Sequence, residues 1–97
     1  MARRRRSARV PYRGFEIAFP LQGRGPCWIL FGGKRFAGDA EFDDLDAAFD
    51  LIDEERRQRF DSFSVLRADY GQRIVAARNA ARIAAAAIQK KAELPAQ

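Results

Sequence analysis

Hydrophobic residues recur at every second position in the segment 12–19. Phe15, Ile17 and Phe19 are separated by single residues that are charged or small. A period of two directs successive side chains to opposite faces of a β-strand. The alternation therefore predicts a first strand, which ends at the proline that follows it because proline cannot donate a ladder hydrogen bond.

Two further strands are predicted after a glycine-containing loop. The run 27–31 is apolar throughout, with Trp28 and Leu30 on one face of the strand and its other three residues on the opposite face. The pair Gly32 and Gly33 is a two-residue hairpin signal, because glycine tolerates the positive φ angles of a tight turn. A third strand is expected directly after that turn.

The spacing of apolar residues changes to that of a helix in the middle of the chain. Leu45, Ala48, Phe49 and Ile52 fall at i, i+3, i+4 and i+7, which lines one face of an α-helix. Acidic residues cluster at the start of this segment and arginines at its end, an orientation that the helix dipole favours. These features predict a helix over 44–59.

A second and longer helix is predicted over 65–92. Its sequence is rich in alanine and arginine, which have high helix propensity, whereas Gly71 weakens the helix and suggests a kink. The predicted buried stripe at helical spacing consists of Phe63, Leu66, Tyr70, Ile74, Ala77, Ala81, Ala84 and Ile88.

The order of these elements indicates an α+β fold in which a three-stranded antiparallel meander over 12–38 precedes two helices. We expect one domain over 11–93, a basic arm over 1–10 that is disordered when free, and a frayed tail over 94–97. The middle strand is apolar on both faces, so the face that the first helix leaves open should be covered by the long helix, by a partner or by a second copy. The predicted core residues between the sheet and the first helix are Trp28, Phe36, Phe49 and Ile52.

Charge is segregated along the 97 residues, which carry a net charge of +5. Residues 1–38 hold nine basic residues and one acidic residue, residues 39–55 hold nine acidic residues and no basic one, and residues 56–97 hold nine basic and three acidic residues. Almost all basic residues are arginine, whose planar guanidinium binds phosphate or carboxylate with two hydrogen bonds at once. The acidic block is expected either to pair internally or to be presented to a partner.

The composition argues against conventional side-chain catalysis. The chain has no histidine and no threonine, so a Ser-His or Cys-His pair and a zinc site cannot be built. The single cysteine, Cys27, favours a reducing, cytoplasmic setting, and no apolar run approaches the roughly 20 residues of a membrane helix. Acidic residues between 39 and 46 do not have the spacing of an EF-hand loop, and they fit the N-terminus of a helix better. We therefore expect a protein that is not an enzyme and that has no metal and no cofactor.

Several short motifs share positions with a known family. They are Tyr12-Arg13-Gly14, Trp28 in the second strand, Gly38 at the end of the third, and Phe42-Asp43 leading to Ala47-Ala48 on the helix. In these motifs the segment 12–53 resembles AP2-type and integrase arm-type DNA-binding domains. The resemblance implies a three-stranded sheet, one helix, and arginines that reach DNA from the exposed sheet face. The sequence departs from that pattern because it places Glu16, Ala18, Cys27, Ile29 and Phe31 at sheet positions.

Nucleic-acid binding, to DNA or RNA, is the first functional hypothesis. An arginine-rich arm binds phosphates without sequence preference, and arginines on the long helix would add a second basic line. The candidate residues are Arg3, Arg4, Arg5, Arg6, Arg9, Arg13, Lys34, Arg35, Arg67, Arg78 and Arg82.

Protein binding is the alternative hypothesis. In size and composition the chain is similar to small proteins of bacterial viruses, including inhibitors of host defence and assembly factors. Such a protein would bind a host or viral partner through its apolar sheet face, its alanine-rich helix or its acidic block, and the helix would also allow a homodimer. The candidate residues of the acidic block are Asp39, Glu41, Asp43, Asp44 and Asp46.

Overall fold

The sheet contains four strands in the computed structural model, which describes residues 7–21, 26–61 and 63–93. The order of the strands in the sheet follows the chain, and each neighbouring pair is antiparallel. An antiparallel sheet followed by two helices confirms the α+β class, whereas the predicted number of three strands is wrong. The strands are β1 (Ser7–Tyr12), β2 (Phe15–Pro20), β3 (Trp28–Phe31) and β4 (Lys34–Arg35).

The strand that sequence reasoning missed is β1, which begins inside the predicted arm. Its residues 8, 10 and 12 are apolar and alternate with Arg9 and Pro11. The sequence therefore contains the period of two of a β-strand, although this segment is part of the basic arm. The predicted strand over 12–19 is instead interrupted by a turn at Arg13 and Gly14, whose φ angles are 49° and 88°. Positive φ at both central residues is the geometry of a type I′ hairpin turn. Residues 1–6 of the arm and the tail over 94–97 lie outside the described residues.

The hairpin between β3 and β4 forms where it was predicted. Gly32 and Gly33 have φ angles of 60° and 82°, again those of a type I′ turn. The strand β4 is shorter than expected, because Ala37 and Gly38 also adopt positive φ and turn the chain away from the sheet.

The first helix, α1, spans Leu45–Arg59 and agrees with the prediction over 44–59. Asp44 is its N-cap, and the carboxylate accepts a hydrogen bond of 2.9 Å from the backbone N–H of Ala47. An aspartate in the first turn and arginines in the last turn complement the helix dipole.

The second helix, α2, spans Tyr70–Glu93 and begins later than predicted. The connection from α1 contains only a short 3-10 helix at Ser64–Leu66. Phe63 and Leu66 therefore do not lie on the buried stripe, and they are 85% and 82% exposed. Gly71 is the second residue of α2, so it cannot kink the helix in its middle. No helix within the described ranges is both long enough and apolar enough to cross a membrane.

The core lies between one face of the sheet and both helices. We call this the first face; it carries Val10, Tyr12, Phe15, Ile17, Phe19, Cys27 and Ile29. Phe49 and Ile52 of α1 and Ala81 and Ala85 of α2 are buried in the same cluster. The expectation that the long helix covers the opposite face is therefore wrong, because both helices pack on the same side.

Three of the four predicted core residues contact this cluster. Phe49 and Ile52 are fully buried, and Phe36 is half-buried against them. Trp28 is the exception. It is half-buried and lies on the opposite face of the sheet, because the odd-numbered residues of β3 are the ones that face the helices.

Candidate nucleic-acid interface

The face of the sheet without helices, which we call the second face, presents two rows of side chains. Arg9 lies opposite Ala18, which lies opposite Trp28 on the next strand. The neighbouring row runs from Pro11 through Glu16 and Leu30 to Arg35. Ala18 and Leu30 are buried within this face, so the parts that solvent reaches are Pro11, Arg9, Glu16, Arg35 and a portion of Trp28.

An arginine and the only tryptophan of the chain form a cation–π pair on this face. The guanidinium carbon of Arg35 lies 5.4 Å from the centre of the Trp28 ring, within the range of a cation–π contact. The same guanidinium donates a hydrogen bond of 3.4 Å to the carbonyl of Ala40. The indole and the guanidinium are both planar, and the guanidinium is positively charged.

A second arginine is held loosely on the same face. Arg9 lies 3.8 Å from Glu16, and the two side chains are 54% and 43% exposed. An exposed pair at that distance contributes little free energy, about 0–1 kcal/mol, so Arg9 can exchange this carboxylate for a phosphate.

The arginines of the arm are attached to the outer edge of this sheet. Arg6 directly precedes Ser7, the first residue of β1, and β1 is an edge strand. The four arginines 3–6 are therefore adjacent in sequence to the strand that carries Arg9.

Two of the three arginines of α2 are occupied by carboxylates of α1, and the third, Arg73, pairs with Asp69. Arg78 donates to Asp50 at 2.9 Å and to Asp53 at 2.5 Å, and Arg82 pairs with Asp46. Arg67 lies before α2 begins and is exposed. The predicted basic line of Arg67, Arg78 and Arg82 along one helix therefore does not form, and two of its members help to hold the helices together.

Arg13 is also committed to contacts inside the molecule. Its guanidinium donates to Asp53 and to Asp61, each at 2.6 Å, and lies 3.3 Å from the hydroxyl of Tyr70. Arg56 adds hydrogen bonds to the carbonyl of Arg13 at 2.8 Å and to Asp61 at 2.9 Å. We call these five residues the turn cluster, because they join the β1–β2 turn to the end of α1 and the start of α2.

Asp61 is the buried centre of the turn cluster, with 3% of the residue exposed. Burial alone would raise the pKa of its carboxyl group, but hydrogen bonds from Arg56 and Tyr70 outweigh burial and hold the pKa below its ordinary value. The carboxylate is therefore ionised at neutral pH. A cleft of about 400 Å³ lies between the helices beside this cluster, and its charged lining residues Asp50, Asp53, Glu54, Arg57 and Arg78 are paired with one another.

The acidic block divides into paired and exposed residues. Asp46 pairs with Arg82, and Asp44 caps α1. Asp39, Glu41 and Asp43 are exposed and make no ion pair within the described part of the chain. In that same part, no group of three or more potential ligand residues is arranged to hold a metal ion.

Cys27 lies on the first face and is not available as a nucleophile. Burial raises the pKa of its thiol to about 11, so the thiol is protonated at neutral pH. It donates to the carbonyls of Asp44, at 3.3 Å, and Phe42, at 3.5 Å.

Exposed aromatic and aliphatic side chains collect near the β3–β4 turn and the connection between the helices. The rings of Phe31 and Phe60 stack with centres 6.5 Å apart, and both are about half-exposed. Phe63 and Leu66 follow in the same connection and are almost fully exposed. Sequence reasoning placed these two on the apolar stripe of the long helix, but they precede α2 and are exposed.

Comparison of the chain with protein-family models, with curated proteins and with solved structures finds no match.

Proposed function

We propose that this protein binds nucleic acid through the second face of its sheet and the arginines that precede β1. The observation that carries the proposal is the placement of both helices on the first face. This placement leaves Arg9, Trp28 and Arg35 on a surface that no helix covers within the described residues, at the sheet whose edge the arm joins.

The distribution of positive charge supports the same surface. Most described arginines on the helix side are paired with carboxylates, including Arg13, Arg56, Arg78 and Arg82. Around the sheet, Arg35 has no carboxylate partner within the described residues and Arg9 has one exposed partner. Phosphates bind cations that are not already neutralised, and the release of condensed counterions drives that binding. The arm, which adds Arg3 to Arg6, supplies the larger share of this charge.

The resemblance to AP2-type domains stays a prediction. It adds the expectation that the sheet, rather than a helix, meets the nucleic acid. The proposal does not distinguish DNA from RNA, because phosphate contacts are common to both.

Binding of labelled oligonucleotides at several salt concentrations, followed by fluorescence anisotropy, tests the proposal. Each phosphate contact contributes about 0.7 to 0.9 to the slope of log affinity against log salt concentration. The double variant Arg5→Ala/Arg6→Ala should therefore bind more weakly and with a slope that is less steep by more than one. The charge-matched control is Arg57→Ala/Arg59→Ala, which removes two exposed arginines from α1 and should leave the slope unchanged. Equal slopes for the two double variants would contradict the proposed interface.

A protein partner is the second candidate function, and the exposed side chains between the helices favour it. Phe60, Phe63 and Leu66 lie within seven residues of one another and are all exposed. Isolated exposed apolar residues are common, but three in one connection are typical of a contact surface. A photoreactive amino acid at position 63 should crosslink one defined protein in the native host, and Leu66→Asp should abolish that crosslink. A diffuse set of crosslinks that Leu66→Asp does not change would exclude this surface.

A further inference from the structure

The second face has the wrong shape for reading a DNA duplex. The major groove is about 12 Å wide and 8.5 Å deep, and it admits an α-helix or a two-stranded ribbon. Four strands at about 4.8 Å spacing place β1 and β4 roughly 14 Å apart before their side chains are added. The central residues Ala18 and Leu30 are buried and cannot extend to base edges.

The helices offer no other route into a groove. Helix α2 is the longer of the two described α-helices, and its Arg78 and Arg82 point to the carboxylates of α1. Releasing them would leave Asp53, which is 14% exposed, without one of its partners. Such a partly buried carboxylate is costly to leave unpaired.

Unpaired bases match the groups that the second face does present. A base that is not in a duplex exposes its flat aromatic surface, and proteins bind it by stacking on aromatic rings and on arginine guanidinium planes. Trp28 and Arg35 form such a pair of planar groups, and neither is fully buried. Arg9 lies two strands away from Trp28 in the same row, at about 10 Å, where it can contact a phosphate of the same strand.

We infer that the ligand of the second face is a single-stranded nucleic acid, one of whose bases stacks on the Trp28–Arg35 pair while Arg9 contacts its phosphates. This inference rests on the proposed function and specifies its ligand. Recognition of this kind tolerates any base sequence, because every base has a flat face.

The chain carries its own reporter for this contact, because Trp28 is its only tryptophan. A base that stacks on the indole quenches its fluorescence, whereas phosphate contacts by the arm alone do not. Titration with a single-stranded oligonucleotide of mixed sequence should quench the emission of Trp28. A length of about 15 nucleotides is within the site sizes of proteins that bind single-stranded nucleic acids. The duplex of the same length should bind at least tenfold more weakly and should leave the emission nearly unchanged.

Variants separate stacking from charge. Trp28→Ala should reduce single-strand affinity by about 5- to 150-fold, the range that loss of one base–aromatic stack produces, and Trp28→Phe should restore most of it. Arg35→Gln should also weaken binding. Phe60→Ala is the control, since Arg56 forms a cation–π contact with that ring at 5.7 Å on the helix side. Circular dichroism of each variant tests whether the fold is retained. If Trp28→Ala does not fold, the affinity of Trp28→Phe is compared with that of the wild type instead.

The outcomes distinguish the inference from the proposed function. One outcome would overturn the stacking inference and leave binding through the arm in place. In that outcome, binding depends on salt, the emission of Trp28 does not change, and Trp28→Phe and Trp28→Leu bind with equal affinity. Tighter binding of the duplex than of the single strand would overturn the choice of ligand. Absence of binding to single strand and duplex alike at low salt would overturn the proposed function and the inference with it.

Discussion

The two faces of the sheet differ in what their side chains do. On the first face Val10, Ile17 and Ile29 are fully buried under two helices, and the surrounding arginines are held by carboxylates. On the second face the charged side chains of Arg9 and Arg35 reach solvent, and the one aromatic ring is half-buried. Stability therefore comes mainly from the first face.

Arginine occurs both in the stabilising contacts of the helix side and on the exposed second face. The residues around each arginine determine which of the two applies. Arg13 is 13% exposed and contacts two carboxylates, whereas Arg35 contacts an indole and a carbonyl. A basic composition thus overstates the charge that a partner can use. The following changes test this division, from the largest expected effect to the smallest.

Truncation of the central aromatic residue of the core should be the most damaging change. Phe49 is fully buried, and its ring centre lies 4.5 Å from that of Tyr12. Phe49→Ala should lower the free energy of unfolding by about 3–5 kcal/mol, measured by urea denaturation. Phe63→Ala is the control for an exposed phenylalanine and should change stability by less than about 0.5 kcal/mol. Similar losses for the two variants would mean that the helices do not cover the first face.

Removal of the central carboxylate of the turn cluster should have the next largest effect. Asp61→Asn leaves Arg13 and Arg56 without a buried acceptor of opposite charge, and should cost about 2–3 kcal/mol at pH 7. The pKa of this carboxyl is lowered in the folded protein, so its contribution is present above its unfolded pKa of about 3.9 and is lost as the pH falls toward the folded value. The stability difference between the wild type and Asp61→Asn should therefore narrow below about pH 4. A difference that stays constant from pH 7 to pH 3 would contradict the ionised cluster.

Substitution of one arginine on the helix side and of one on the second face should distinguish an effect on stability from an effect on nucleic-acid binding. Arg78→Gln removes contacts to Asp50 and Asp53, and should cost about 1–2 kcal/mol of stability with little change in nucleic-acid affinity. Arg35→Gln should cost less than about 1 kcal/mol, since an exposed cation–π contact contributes no more, and it should weaken binding. The reverse assignment, with binding lost in Arg78→Gln alone, would place the interface on the helices.

Neutralisation of the carboxylate on the second face should have the smallest effect. Glu16 lies beside Arg9 and repels phosphates, so Glu16→Gln should tighten binding by about twofold, the Coulomb effect of one charge at about 10 Å in water. Glu54→Gln on α1 is the matched control and should leave affinity unchanged. A weaker Glu16→Gln complex would show that the Arg9–Glu16 pair orients the arginine for binding.

The elements that the sequence predicted well are those with local signals. The helix α1 has its cap at Asp44 and its apolar face at Ala48, Phe49 and Ile52, all within nine residues. The β3–β4 hairpin has two adjacent glycines at its turn. Both the secondary structure and the buried face follow from neighbouring residues in these cases.

The elements that it missed depend on distant residues. The turn at Arg13 has a positive φ without being glycine, and the contacts that hold it come from Asp53 and Asp61. Phe63 and Leu66 continue the spacing of α2, but Asp61 joins the turn cluster and α2 begins only at Tyr70. Alternation separated Trp28 and Leu30 from Ile29, yet it could not show which of the two sets the helices would cover. Homodimerisation through α2 stays a prediction, and Arg82 on that helix pairs with Asp46 of its own chain.

The left-handed backbone of Arg13 has a consequence for the order of folding. A hairpin of adjacent strands can close within about 10 μs, but a left-handed residue other than glycine costs roughly 1–2 kcal/mol. The compensating ion pairs reach 40 and 48 residues along the chain, so the hairpin gains them only when the ends of both helices arrive. The β1–β2 hairpin should therefore be unstable by itself and should form late, together with the docking of α1 and α2. Amide hydrogens of β1 and of the first turn of α2 should then exchange with solvent in a single cooperative opening, although these segments are far apart in the sequence.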